Sequence, residues 1–344
     1  MKTVHINASK AYDVLIGGGL LEELGSRMAA VVSGRTVMVV SDDTVFSLYG
    51  EKAVKSLENS GFTAKTFVFP HGERSKSGEM FLKLVHAMAE AGLTRNDSVI
   101  ALGGGVTGDL TGFAAACYLR GIACVQVPTS LLAMVDSSVG GKTAIDLPAG
   151  KNLCGAFHQP CLVVCDTDLL QTLPEDILTD GTAEVIKYAV LGEKGLFSLL
   201  KNGNFDWEDV VCACVRAKAR LVEEDELDNG ARQFLNLGHT LGHAVEANSD
   251  FALSHGKAVA IGMAMVARAA CKMELLSATD RDEILSLLKQ YGLPTETDQS
   301  PEQICKRALG DKKRRGNTIT LVVPTAKDKC KLHPISVEAL QEWI

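Results

Sequence analysis

Five polar side chains recur at intervals of three and four residues in one stretch of an otherwise apolar segment: Arg232, Asn236, His239, His243 and Glu246. On an α-helix this spacing places them along one face. Burying such a polar face is costly unless it meets a ligand or a partner. His239 and His243 are four residues apart and could both bind zinc, with a carboxylate from another helix completing a site that keeps an open position.

Two interpretations of the histidines stay open at this point. A pair of helical histidines is often structural and held by hydrogen bonds alone. His255, which precedes a helix of small apolar residues, supplies a third imidazole, and Glu184 supplies a carboxylate on a separate predicted helix. The spacing does not decide which two of the three histidines would bind a metal.

A glycine-rich turn predicts a nucleotide or phosphate site. Gly103, Gly105 and Gly108 follow a predicted strand at G-x-G-x-x-G spacing and open a helix, which leads to a second strand over 123–127. Glycine there lets phosphate oxygens approach main-chain N–H groups at a helix N-terminus. A tight turn without a ligand is the alternative. The acidic residue expected about 20 residues onward is missing, and Asp42, at the end of an earlier strand, is the nearest equivalent.

Two lysines in glycine-bearing stretches could bind phosphate oxygens as point charges. Lys142 follows a Gly-Gly pair, and Lys151 precedes Asn152 after another glycine. The segment 131–160 that holds them is too polar for a core strand, so we predict loops there. The alternative is that both lysines are solvated surface residues.

The elements that must position these residues alternate between strands and helices up to residue 173. This rhythm predicts an α/β doubly wound sheet, in which ligands bind outside the carboxyl ends of the strands. Asp42, Glu73, the glycine turn and 128–130 all fall at such ends. The pattern then becomes mainly helical. We therefore predict a nucleotide-binding α/β domain over 1–173 and an all-α-rich metal- and substrate-binding domain over 174–344.

Three smaller features complete the second domain. A capping box at 300–303 predicts a helix start, the segments 318–323 and 329–333 predict a hairpin, and 337–344 predicts a closing helix.

Composition restricts the class of protein. The chain has 344 residues and a net charge of −7, which argues against a nucleic-acid groove or an anionic membrane surface as partner. Its ten cysteines are scattered, without a metal-like C-x-x-C pair. We see no signal peptide and no run of 18 apolar residues, so we expect a cytoplasmic protein with reduced thiols and no membrane span.

Several motifs together resemble the 3-dehydroquinate synthase family, of the sugar phosphate cyclase group. They are PHGERSKS (70–77), GGGVTGD (103–109), PTSLLAMVDSSVGGKT (128–143), GKN (150–152), GTAEVIKYA (181–189), RQFLNLGHTLGHAVE (232–246) and HGKAV (255–259). The resemblance covers nearly the whole chain. It implies an N-terminal NAD-binding α/β domain, a helical C-terminal domain and a homodimer.

The resemblance also implies roles for individual residues. The ligands of one divalent metal, Zn²⁺ or Co²⁺, fall on Glu184, His239 and His255, so that His243 becomes a substrate-side residue. The NAD contacts fall on Asp42, Glu73, Lys76, Gly104, Gly105, Val106, Thr107, Gly108, Asp109, Thr129, Ser130, Lys142, Lys151, Leu169 and Thr172. The catalytic and substrate contacts fall on Arg120, Asp136, Lys142, Lys151, Asn152, Lys187, Lys218, Arg232, Asn236 and His243, with Lys312 or Lys313 as a further contact.

The activity implied is conversion of 3-deoxy-D-arabino-heptulosonate 7-phosphate to 3-dehydroquinate and phosphate. NAD would oxidise a ring hydroxyl, phosphate would leave by elimination, and the hydride would return, so no NADH accumulates. Thr44 and Lys257 depart from residues frequent in the family, but neither is an implied ligand. The rival interpretations are a sister cyclase, a metal-dependent polyol dehydrogenase that releases NADH, and a non-catalytic sensor of NAD or phosphate.

Overall fold

The computed structural model describes residues 1–249, 252–308 and 317–344. The chain forms two compact units. The first comprises Met1–Leu173 and Trp207–Leu227, and the second comprises Pro174–Asp206 and Asp228–Ile344. A single boundary near residue 173 does not anticipate that Trp207–Leu227 belongs to the first unit.

The first unit is built on a seven-stranded sheet with the order β1-β2-β9-β6-β5-β3-β4. β1 pairs antiparallel with β2, and the other neighbours pair parallel. The strands of this unit are β1 (Lys2–Ile6), β2 (Tyr12–Gly17), β3 (Thr36–Asp42), β4 (Thr63–Phe69), β5 (Ser98–Gly103), β6 (Ala123–Pro128), β7 (Lys142–Leu147), β8 (Gly150–Phe157) and β9 (Leu162–Asp166).

The α-helices of the first unit, numbered in chain order, are α1 (Leu24–Ala29), α2 (Asp43–Val45), α3 (Glu51–Asn59), α4 (Gly78–Glu90), α5 (Gly105–Cys117) and α8 (Trp207–Glu224). Shorter 3₁₀ turns lie at Glu73–Ser75, Tyr118–Arg120 and Thr167–Thr172, and π-helical turns lie at Phe46–Gly50 and Ala133–Ser137. Every residue of β5 is buried, as expected for a central parallel strand with both faces covered. The α/β sheet predicted from the strand and helix rhythm is thus confirmed.

Small residues on α5 let this helix approach the strands closely. A Cβ atom on Gly108 would lie 2.9 Å from Gln126 Oε1, and one on Gly112 would lie 2.4 Å from Thr143 Cγ2. A larger side chain at either position would require these neighbours to shift. The two glycines therefore let α5 pack closely against β6 and β7.

The segment 131–160, predicted as loops, instead contains a π-helical turn, Ala133–Ser137, and an antiparallel hairpin of β7 and β8. Three consecutive residues of β7, Thr143–Ile145, are buried, whereas every residue of β8 is partly or fully exposed. The polar composition of the segment misled the prediction because β8 is solvated. Lys142, Lys151 and Asn152 therefore lie on strands.

The second unit is mainly helical, as predicted. Its elements are α6 (Glu175–Leu191), α7 (Leu196–Asn202), α9 (His239–Asn248), α10 (His255–Lys272), α11 (Ala278–Gln290), α12 (Pro301–Ala308), β10 (Thr318–Ala326) and β11 (Lys329–Ser336). β10 and β11 form the predicted hairpin. The capping box is also present: the Gln303 N–H donates to Ser300 Oγ at 3.3 Å, and the Ser300 N–H donates to Gln303 Oε1 at 2.9 Å.

The prediction that one helix carries all five regularly spaced polar residues, from Arg232 to Glu246, is wrong. Ala231–Asn236 forms a 3₁₀ helix, and α9 begins only at His239. Gly238 separates the two with φ +77°, and a Cβ there would lie 2.6 Å from Val259 O. Close packing on α10 thus requires glycine and ends the first helix. The chain end is likewise a 3₁₀ helix, Glu338–Trp343.

Among the residues that the structure describes, no helix combines the length and the apolar character needed to cross a bilayer.

Candidate functional site

A carboxylate and two imidazoles converge inside the second unit. Glu184 comes from the middle of α6, whereas His239 and His255 are the first residues of α9 and α10. Glu184 Oε1 lies 3.4 Å from His239 Nε2 and 3.1 Å from His255 Nε2. The side chains of Glu184 and His239 are buried, and that of His255 is partly exposed. Three ligand-type atoms therefore face one another where α6, α9 and α10 meet.

The other ring nitrogen of each imidazole also faces a polar partner. His239 Nδ1 lies 3.0 Å from Leu237 O, and because a carbonyl only accepts, this nitrogen is the donor and Nε2 keeps its lone pair. His255 Nδ1 lies 3.6 Å from Glu246 Oε2. Metal-binding histidines commonly have such a carbonyl or carboxylate behind them, which fixes the ring and its tautomer.

The electrostatics of the cluster favour a charged carboxylate. Burial raises the pKa of Glu184, but the Lys187 ammonium 2.5 Å away and the two histidines lower it well below its usual range. Burial lowers the pKa of His239. Burial also lowers the pKa of His255, yet the carboxylates of Glu184 and Glu246 outweigh this effect and raise it. The unit therefore presents an ionised acid to its histidines.

His243 completes a group of three imidazoles. Donor atoms of His239, His243 and His255 all lie within 4.8 Å of one another. The centroid of the His243 ring is 5.3 Å from that of His239 and 5.6 Å from that of His255. Nitrogen and carboxylate ligands of this kind suit Zn²⁺ or Co²⁺. The donor set fits one divalent metal, with three candidate histidines at hand.

Two cations predicted to contact substrate lie deep in the same unit. Arg232 and Lys187 are each 1% exposed. Arg232 and Asn236 lie on the 3₁₀ helix rather than on α9, so helical spacing cannot relate them to His239. Lys187 also lies 4.9 Å from the centroid of the Tyr188 ring.

In the first unit, the predicted cofactor residues gather at the carboxyl edge of the sheet. The strand order reverses between β3 and β5, which is where ligands bind in doubly wound sheets. Asp42 ends β3, and the glycine turn follows β5. Glu73, Thr129, Ser130, Leu169 and Thr172 all follow the ends of other parallel strands.

The glycine turn leaves the start of α5 open. Gly104 precedes the helix in an extended conformation and, as a glycine, has no side chain to accept a hydrogen bond from the first amides. These N–H groups carry the positive end of the helix dipole and can bind phosphate oxygens. Thr107 Oγ1 is buried without a hydrogen-bond partner among the described residues. The turn over Gly104–Asp109 therefore fits the pyrophosphate of a dinucleotide.

The other predicted cofactor residues of this edge have local partners. Asp42 Oδ1 accepts a hydrogen bond from the Val45 N–H at 2.9 Å and so caps α2. The Tyr49 hydroxyl lies 3.2 Å from Leu169 O and also hydrogen-bonds Thr172 Oγ1. Tyr49 was not predicted, and its apolar surroundings in the sequence gave no signal for this role.

A network of ion pairs connects three predicted cofactor residues to Lys151. Lys76 Nζ lies 2.5 Å from Asp109 Oδ2 and 3.9 Å from Glu73 Oε1, and Lys151 Nζ lies 3.8 Å from the same Glu73 oxygen. Burial raises the pKa of both carboxyl groups. Burial lowers the pKa of Lys76, but the carboxylates of Asp109 and Glu73 outweigh this effect and raise it.

The first unit holds six predicted substrate residues, of which Lys151 and Asn152 lie on β8. Lys218, on α8, donates to Asp136 O at 2.6 Å and pairs with the Asp136 carboxylate. Arg120 has a φ of +69°, and Lys142 opens β7. Lys218 thus lies in the first unit, although the sequence placed it in the second domain. Lys312 and Lys313 lie outside the described residues.

Two carboxylates were missed as functional candidates. Glu246 was recognised as one of the five regularly spaced polar residues, three residues after His243, but not as a partner of His255. Asp146 sits in the hairpin next to Lys151 and Asn152, and no sequence motif distinguishes it.

Comparison with known proteins agrees with these geometries. Family models described as the 3-dehydroquinate synthase N-terminal and C-terminal domains match residues 66–180 and 181–314. A 3-dehydroquinate synthase of Caulobacter vibrioides is 47% identical over 341 residues, covering 94% of this chain and 92% of that protein.

Two solved structures are similar over nearly the full length. A 2-deoxy-scyllo-inosose synthase complexed with carbaglucose-6-phosphate, NAD⁺ and Co²⁺ is 25% identical with a TM-score of 0.87, covering 99% of each chain. A 2-epi-5-epi-valiolone synthase of Streptomyces hygroscopicus subsp. jinggangensis with NAD⁺ and Zn²⁺ bound is 26% identical with a TM-score of 0.88, covering 96% of this chain and 95% of that one. Since the two family models together span more than half of the sequence, the chain belongs to the 3-dehydroquinate synthase family.

Proposed function

We propose that this chain is an NAD⁺- and metal-dependent phosphorus-oxygen lyase that converts 3-deoxy-D-arabino-heptulosonate 7-phosphate to 3-dehydroquinate and phosphate. The observation that carries the proposal is the convergence of Glu184, His239 and His255, each of which lies within a motif of the family. The name of the curated relative, 3-dehydroquinate synthase, supports the same product. The step belongs to the shikimate pathway of aromatic amino acid biosynthesis.

The cofactors supply the redox and Lewis-acid chemistry. When bound, NAD⁺ accepts and returns a hydride, and the metal polarises the oxygen at the reacting carbon. Relatives of this chain are solved with NAD⁺ and with Co²⁺ or Zn²⁺. We assign the metal to Glu184, His239 and His255, and His243 to the substrate. Lys187 keeps Glu184 ionised through their ion pair.

We assign the NAD⁺ phosphates to the open start of α5, in the turn Gly104–Asp109. Asp42 ends the strand next to β5 and is suited to accept hydrogen bonds from a ribose. Lys76 holds Asp109 through their ion pair. Thr129 and Ser130 follow the neighbouring strand β6, whose carboxyl end lies at the same edge.

Recognition of the substrate anions follows from charge. A guanidinium can bind a carboxylate through two parallel hydrogen bonds, so we assign the substrate carboxylate to Arg232. The phosphate suits the ammonium groups of Lys142 and Lys151, together with Asn152 and Arg120. The remaining contacts are assigned to Asp136, Lys187, Lys218, Asn236 and either Lys312 or Lys313.

A product assay tests this function. Metal-loaded protein is incubated with the heptulosonate phosphate and catalytic NAD⁺, and phosphate and dehydroquinate are both measured. We expect the two products in equal amounts. Glucose 6-phosphate, which has a phosphate but no carboxylate, should be a poor substrate. Efficient turnover of glucose 6-phosphate would instead assign the chain to a sister cyclase.

We also infer a homodimer and a cytoplasmic location. The family resemblance supports the dimer, which sedimentation velocity would test. All ten cysteines are described and are free thiols, a state that persists in a reducing compartment. Cell fractionation with an antibody against the chain would test the location.

A further inference from the structure

Asp146 lies at an irregular point of the β7–β8 hairpin. Ile145 pairs with Cys154, and Leu147 pairs with Gly150. Between these two pairs, Asp146 alone on β7 faces residues 151–153 of β8. The bulge therefore contains both Lys151 and Asn152, and bulges often redirect side chains near functional sites.

The carboxylate of Asp146 holds the backbone of the bulge. Asp146 Oδ1 accepts a hydrogen bond from the Asn152 N–H at 2.8 Å. Asn152 has φ +55°, in the left-handed region that residues other than glycine seldom adopt. The hydrogen bond thus stabilises a backbone conformation that Asn152 would otherwise rarely take.

The backbone of Asp146 is fixed in turn by the segment that precedes α4. Its N–H donates to Lys76 O at 2.8 Å, and Asp146 forms an isolated bridge with Ser77. Asp146 therefore connects Lys76 and Ser77 to the bulge that carries Lys151 and Asn152.

We propose that Asp146 is a positioning residue, whose hydrogen bond to the Asn152 N–H orients Lys151 and Asn152 toward their ligands. This inference rests on the proposed function, in which Lys151 and Asn152 bind cofactor and substrate. Asp146 itself needs no contact with either ligand.

The competing explanation is that Asp146 acts only through its negative charge near Lys76 and Lys151. Asp146→Asn separates the two explanations, because its amide oxygen can still accept the Asn152 N–H but carries no charge. Asp146→Ala removes both the hydrogen-bond acceptor and the charge. Leu147→Ala is the matched control, since Leu147 is the exposed neighbour on the same strand.

The experiment measures kcat and KM for the heptulosonate phosphate in the metal-loaded enzyme. Misplacement of binding groups costs up to about 100-fold. We therefore expect Asp146→Ala to lower kcat/KM by about 10- to 100-fold, and Asp146→Asn and Leu147→Ala to stay within about threefold of wild type. Equal losses in Asp146→Asn and Asp146→Ala, or normal kinetics in Asp146→Ala, would overturn the proposal.

Hydrogen exchange of the Asn152 amide gives a second readout that needs no turnover. The amide should exchange at least about tenfold faster in Asp146→Ala and at the wild-type rate in Asp146→Asn. Unchanged protection in Asp146→Ala would refute the hydrogen bond as the cause. If Asp146→Ala does not fold, Asp146→Val, which also lacks an acceptor and suits a strand, replaces it. Wild-type protein that gives no product would count against the proposed function, while the exchange result would still decide the role of Asp146.

Discussion

At the residue scale, a second carboxylate lies behind His255 in the cluster that we propose as the metal site. Glu184 faces the Nε2 atom of His255, and Glu246 faces its Nδ1 atom. A carboxylate behind an imidazole fixes the ring and makes the other nitrogen a better ligand. Glu246 is 5% exposed, so its negative charge acts on His255 with little screening by water.

We predict that Glu246→Gln weakens metal binding by about 10- to 100-fold, which is the usual cost of losing such a partner. Competition with a chelator of known affinity, monitored by bound Co²⁺, measures the change. Glu342→Gln alters an exposed carboxylate of the same unit and should leave the affinity unchanged. Equal affinities for Glu246→Gln and wild type would contradict a role of Glu246 in metal binding.

Arg232 provides a second prediction at this scale. Removing a charged partner from a desolvated site costs about 3–5 kcal/mol, so Arg232→Ala should lower kcat/KM for the heptulosonate phosphate by about 10²–10³-fold or more. NAD⁺ affinity and zinc content should stay close to wild type. Isothermal titration and metal analysis check both controls. A normal kcat/KM in this variant would remove Arg232 from substrate binding.

At the element scale, short hydrogen-bonded turns set where the strands begin. Asp97 accepts hydrogen bonds from the Thr94 N–H at 2.8 Å, from Thr94 Oγ1 at 2.7 Å and from the Thr36 N–H at 3.0 Å. It thereby connects the turn before β5 to the first residue of β3. Burial raises the pKa of Asp97, but these hydrogen bonds outweigh it and lower the pKa.

We predict that Asp97→Asn destabilises the protein by about 2 kcal/mol near neutral pH, because hydrogen bonds to a charged acceptor are lost. The lowered pKa means that this stabilisation is complete above the unfolded pKa of about 3.9 and disappears as the pH falls through the lower folded value. Urea unfolding at pH 7 and pH 3 measures the difference from wild type.

The difference in the free energy of unfolding between Asp97→Asn and wild type should therefore be smaller at pH 3 than at pH 7. Glu58→Gln, on the exposed face of α3, should show little change at either pH. A difference in the free energy of unfolding that increased as the pH fell would contradict the assigned hydrogen bonds of Asp97.

Across the whole molecule, the sequence predicted most of what local pattern determines. The parallel sheet, the glycine turn at its carboxyl edge and the C-terminal hairpin all follow from apolar periodicity and turn residues. Glu184, His239 and His255 converge, and the family motifs had selected this set, but their binding of a metal stays a prediction. Spacing alone could not select the set, because the three residues come from three separate helices.

The features that were missed depend on tertiary packing. Gly238 ends the 3₁₀ helix because α10 packs closely against it, and this contact is invisible in helical spacing. Because α8 belongs to the first unit, Lys218 lies beside Asp136, although the two residues are far apart in sequence. The β7–β8 hairpin was missed because only three residues of β7 are buried and β8 has no buried residue, so neither strand shows a clear apolar pattern.

The proposed function requires that the chain recycles its NAD⁺ at a metal-dependent site. The most direct measurement supplies one NAD⁺ per metal-loaded enzyme and records phosphate release together with absorbance at 340 nm. We expect many phosphates per NAD⁺ without a steady rise in absorbance, loss of activity with a chelator, and recovery with Zn²⁺ or Co²⁺. The proposed function would be contradicted by NADH that accumulates in step with substrate consumption, or by full activity after complete metal removal.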